Sequence, residues 1–99
     1  MKAEPIFREK QTQEGFIREM VVWRLGKPVP GCRHLFKYRF FFGTDDGTCL
    51  VRYDNERGKG DHKHIEGAEL PFLFRGLEAT FADFLADIAA VMDKKRGAV

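Results

Sequence analysis

Twelve consecutive residues, Tyr53 to His64, read Y-D-N-E-R-G-K-G-D-H-K-H. They supply two imidazoles (His62, His64), three cations (Arg57, Lys59, Lys63) and three acids (Asp54, Glu56, Asp61). The amide of Asn55 and the phenol of Tyr53 complete the set. Almost nothing here can fill a core, so the stretch is either a solvated loop or a site. His62 and His64 are two apart, which puts both rings on one face of an extended segment with Lys63 opposite. Two imidazoles working near neutral pH can divide a proton transfer, one as base and one as acid. RNA self-cleavage needs that division: a base for the 2′-hydroxyl, an acid for the leaving 5′-oxygen, and a cation for the phosphorane. Lys59, Arg57 or Arg52 is the expected cation. Asp54 is expected to orient a histidine or a cation. Gly58 and Gly60 let backbone N–H groups approach a phosphate. No cofactor is needed for this chemistry.

Two other readings use the same residues. Asp61, His62 and His64, with Asp54, form a mixed nitrogen and oxygen set for a metal, although H-x-H without a distant partner ligand is weakly specific. His34 is the one other histidine, and nothing in the sequence brings it near. The bland reading is a polar loop over 54–67, since Asp-Asn starts turns and glycine populates loops.

The flanking elements must position this stretch. Pro5 to Gln11 reads as a weak strand, and Phe16 to Leu25 as a strong one rich in β-branched and aromatic residues. In His34 to Phe42, the residues Phe36, Tyr38, Phe40 and Phe42 share one face while Lys37 and Arg39 take the other. Asp45-Asp46-Gly47 turns the chain into Cys49 to Tyr53, making a hairpin. Pro71 to Arg75 reads as a brief strand or a tether. Leu77, Phe81, Phe84, Leu85, Ile88 and Met92 recur every three or four residues, the mark of an amphipathic helix over about 77–95. The expected fold is α+β: an antiparallel meander of about four strands within 5–54, one face covered by the C-terminal helix, in a single domain over 1–99.

A helix on one side leaves the other side of the sheet open. Lys37, Arg39 and Arg52 are expected there, with Phe41 between them, and Arg18 and Arg24 share a phase that lets them join. Basic and aromatic side chains interleaved on a sheet suit RNA. Arg57, Arg52, Lys37, Arg39, Tyr53, Asn55 and Lys63 are the expected substrate contacts. The charge is also graded. Residues 1–40 carry nine Lys/Arg against four Glu, a local +5 that hides within the overall +2 and points weakly to an anionic partner.

Composition narrows the classes. Aromatics at 13% exclude a wholly disordered chain. The two cysteines, Cys32 and Cys49, fit no metal spacing and are expected as free thiols in a reducing cytoplasm. No apolar run approaches the roughly 20 residues of a membrane span.

The Tyr-Asp-Asn and Gly-Lys-x-x-His-x-His elements, with V-V-W-R-L (Val21 to Leu25), R-H-L-F-K-Y-R-F (Arg33 to Phe40) and F-A-D-F-L-A-D-I (Phe81 to Ile88), resemble the TumE-type toxins of bacterial and archaeal toxin–antitoxin modules. The resemblance implies a toxin neutralised by a helix-turn-helix antitoxin of the TumA type. It carries over the motif positions Tyr53, Asp54, Asn55, Gly58, Lys59, His62 and His64; their roles rest on the chemistry above. An endoribonuclease is the expected activity by analogy with other small toxins. The alternatives are a non-catalytic nucleic-acid- or protein-binding module and a metal-dependent nuclease. Phe72, Leu73, Phe74 and Val91 either close the core or form an apolar patch for the antitoxin.

Overall fold

A computed structural model describes residues 3–56 and 58–97. Arg57, named above as a candidate phosphate ligand, lies outside them. Six strands precede one helix: β1 (Glu4–Gln13), β2 (Phe16–Arg24), β3 (Phe36–Thr44), β4 (Cys49–Asp54), β5 (His62–Ile65), β6 (Ala68–Pro71) and α1 (Leu77–Gly97). They form one antiparallel sheet in chain order.

The expected architecture stands, but with six strands rather than about four. The two extra strands fall in the stretch expected to be a polar loop. H-K-H-I and A-E-L-P have little intrinsic strand preference. Pairing with β4 imposes the extended form on β5, and β5 then templates β6. Glu66 and Gly67 make the two-residue turn between them, at φ 47 and 89. Both central residues at positive φ is what a type I′ hairpin requires, and glycine takes the second position without steric cost. Pro71 ends β6, and the rest of the segment from 72 to 76 is the tether.

The core lies between the sheet and α1. Met20, Val22, Tyr38, Phe40, Phe42, Val51 and Tyr53 supply the sheet side, and Phe84 and Val91 the helix side. The alternation expected for β3 is therefore observed. Of the expected helix stripe, Leu77, Phe84, Leu85, Ile88 and Met92 pack on the core. Thr80, Phe84 and Val91 are the buried line, while Phe81 sits at the exposed margin. Thr80 can go inside because its hydroxyl donates to the Gly76 carbonyl at 2.8 Å.

Arg18 and Arg24 are not on the open face. Register pairs Arg18 with Phe42 and Arg24 with Phe36, so both belong to the helix side, and Arg18 forms an ion pair with Glu9 at 2.9 Å. Of the apolar patch, Val91 is buried, Phe72 and Phe74 pack on the core, and Leu73 is 79% exposed. Among the described residues no helix is long and apolar enough to cross a membrane.

Candidate functional site

Register writes two rows of side chains across the face opposite α1. One row runs Val21, Arg39, Asp54, His62; the next runs Glu19, Phe41, Arg52, His64, Glu69. Trp23 and Lys37 pair beyond them. His62 and His64 do share a face, on a strand rather than a loop. Arg52, Lys37 and Arg39 share that face too.

Within the rows a continuous polar chain forms. His62 Nδ1 lies 3.0 Å from the Gly60 carbonyl, and its Nε2 lies 2.7 Å from Asp54 Oδ1. Arg52 Nε is 3.0 Å from Asp54 Oδ2, and Arg52 Nη2 is 2.9 Å from His64 Nε2. The two rings stand edge to face with centroids 5.3 Å apart.

Donor and acceptor rules fix the protons. A carbonyl only accepts, so His62 Nδ1 donates to Gly60, while its Nε2 meets Asp54 at ion-pair distance without an aligned hydrogen bond. A guanidinium only donates, so His64 Nε2 accepts from Arg52. The imidazoles are thus unequal. The His62 side chain is only 4% exposed, whereas His64 is half-buried and reaches the surface. Asp54 holds a histidine and a cation at once.

Other sequence candidates sit elsewhere. Tyr53 is fully buried on the helix face, where its hydroxyl donates to Asp87. Burial first, and then the bond to Asp87 and its charge, push the Tyr53 phenol well above its usual range, so it stays a neutral donor. Lys63 reaches the same carboxylate at 3.1 Å. Asn55 is buried; its Oδ1 accepts from the Tyr38 amide at 3.1 Å and its Nδ2 donates to the Phe36 carbonyl at 2.7 Å. These three hold the fold. Lys59 is exposed, 3.7 Å from both Glu56 and Glu69.

Asn55→Ala should therefore cost stability. It strands a buried N–H and a buried C=O, each worth about 1–3 kcal/mol when unsatisfied, so a loss of roughly 2–4 kcal/mol is expected in urea unfolding. A stable variant that binds RNA poorly would return Asn55 to the substrate surface.

Glu69 and Trp23 were missed in the sequence. Ring nitrogens of His62 and His64 and a Glu69 carboxylate oxygen lie within 4.8 Å of one another. Reading Glu66-Gly67 as a two-residue turn would have put Glu69 opposite His64.

A second polar cluster brings in His34. Its Nε2 is 2.9 Å from Asp61 Oδ1, which also accepts from the Tyr38 hydroxyl at 2.6 Å, and its ring stacks on Phe74 at 3.7 Å. Cys32 completes a set that lies within 4.8 Å. Burial and the Asp61 charge raise the Cys32 thiol, so it is a poor nucleophile. The backbone allows this cluster because Gly31 and Gly60 touch: a Cβ on Gly31 would lie 3.0 Å from the Gly60 amide nitrogen.

Both clusters have the spacing of a metal site, and several of their ring nitrogens already face protein groups. His62 Nδ1 is bonded to the Gly60 carbonyl, and His64 faces a guanidinium. His34 Nδ1 accepts from the Phe36 amide at 3.2 Å, so Nε2 carries the proton rather than a lone pair.

No curated protein and no solved structure matches the chain. The family model for Toxin TumE matches residues 2–92, which spans every strand, the polar chain and most of α1. With nearly its whole length matched, the chain belongs to the TumE toxin family.

Proposed function

We propose that this protein is the toxin of a toxin–antitoxin module and acts as a metal-independent endoribonuclease, neutralised by a helix-turn-helix antitoxin of the TumA type. One observation carries the reading: His64 at the surface, its ring nitrogen against the Arg52 guanidinium, backed by Asp54 and His62. Arg52 moves its donors to the scissile phosphate and frees the His64 lone pair. His64 takes the proton of the 2′-hydroxyl as the 2′-oxygen bonds to phosphorus. The bond from phosphorus to the 5′-oxygen breaks, and the Lys59 ammonium protonates that oxygen. The products are a 2′,3′-cyclic phosphate and a 5′-hydroxyl. His62 and Asp54 are positioning residues for Arg52, and Lys37 and Arg39 hold flanking phosphates.

The burial of His62 favours a second reading, in which the chain binds RNA without turnover. Induction of the wild type beside a His62→Ala/His64→Ala variant at equal expression separates the two. Arrest of growth by the wild type alone, with RNA cleavage that EDTA leaves unchanged, is the expected result. Equal arrest by both chains would favour binding, and silencing by EDTA would favour a metal-dependent nuclease.

A further inference from the structure

The face that carries His64 also carries an open cleft of about 470 Å³, whose Trp23 has no part in the proposed bond-breaking step. Trp23, Lys37, Arg39, Arg52, Asp54 and Glu56 line it. Its volume falls within the range of small-molecule sites, about 300–1,000 Å³. Trp23 is the chain's single tryptophan, and it lies across the strand from Lys37, on the side away from the core. The core has no use for it there. Arg39 is half exposed, lies over the Phe41 ring at 5.5 Å, and makes only a long ion pair with Glu19 at 3.9 Å, which an incoming phosphate can displace. Arg52 and Asp54 belong both to this cleft and to the chain that ends on His64.

We infer that the cleft is a nucleobase pocket. Trp23 stacks on one base of single-stranded RNA, and Lys37 and Arg39 take the phosphates beside it. The neighbouring ribose then falls at His64. The inference rests on the RNA-cleaving reading for its choice of ligand, and it adds a substrate class. A base in a duplex is stacked on both faces and cannot enter, so the substrate is single-stranded.

Trp23 makes the test direct, because emission from the only tryptophan reports on this cleft alone. The probes are the four ribonucleoside 5′-monophosphates, inorganic phosphate, and a single-stranded octanucleotide with 2′-O-methyl groups, which has no attacking hydroxyl. At constant ionic strength, at least one nucleotide should quench Trp23 saturably while phosphate does not. Trp23→Ala should weaken octanucleotide binding about tenfold or more, and Trp23→Phe by less. Absence of quenching by every nucleotide, equal quenching by phosphate, or unchanged binding by Trp23→Ala each overturns the pocket. Quenching without any RNA cleavage would overturn the nuclease and leave the pocket standing. Cleavage by the wild type with no quenching would do the reverse.

Discussion

Purified His64→Ala is expected to cleave RNA at about one-hundredth of the wild-type rate or less, the usual loss when a positioned base is removed. Asp54→Asn should come close to the same loss without disturbing the fold, since the side chain keeps its shape. The carboxylate is the joint of the chain: one oxygen faces His62 and the other faces Arg52. An amide cannot accept from both, so Arg52 loses the anchor that sets its distance to His64. Residues that act as one unit lose their effect once, not twice. The double variant should therefore be little slower than the slower single variant. Rates measured on a labelled RNA under single-turnover conditions decide this. Losses that multiply would show that Asp54 and His64 act independently, and a fully active His64→Ala would remove the assigned base.

Phe84→Ala is expected to lower unfolding free energy by about 3–5 kcal/mol. Phe84 is 0% exposed and packs on Phe40 at 5.4 Å and edge-on to Tyr53 at 5.8 Å between centroids. It is the main apolar anchor by which α1 grips the sheet. Small domains hold only about 5–15 kcal/mol of net stability, so this one truncation takes a large share. Guanidinium unfolding followed by far-ultraviolet dichroism measures it. A loss below about 1 kcal/mol would mean that the helix is seated by other contacts.

The sheet's long strands were legible because apolar and polar residues alternate cleanly from Phe36 to Phe42. The hairpin at Asp45-Asp46-Gly47 announced itself through turn chemistry. Strands β5 and β6 did not, since His62 to Pro71 is polar and takes its form from its neighbours. That miss changed the site. Read as a loop, the segment offers two interchangeable histidines; read as a strand in register with β4, it buries His62 against Asp54 and leaves His64 beside Arg52. Tyr53 alternates with Arg52, so its position on the apolar face was already written in the strand period. The meeting of His34 with Asp61 was illegible, because it depends on two loops closing where Gly31 and Gly60 touch.

Because the spatial order of the strands repeats their order along the chain, each new strand finds its partner already in place. Such local pairing makes for quick assembly, with little loop entropy lost at each step. The helix follows the sheet, however, and it brings Phe84, Val91 and the Asp87 carboxylate that ties down Tyr53 and Lys63. During synthesis on the ribosome the sheet thus waits with its greasy side wet. The polar row is drawn early, and the helix that closes the core behind it arrives last.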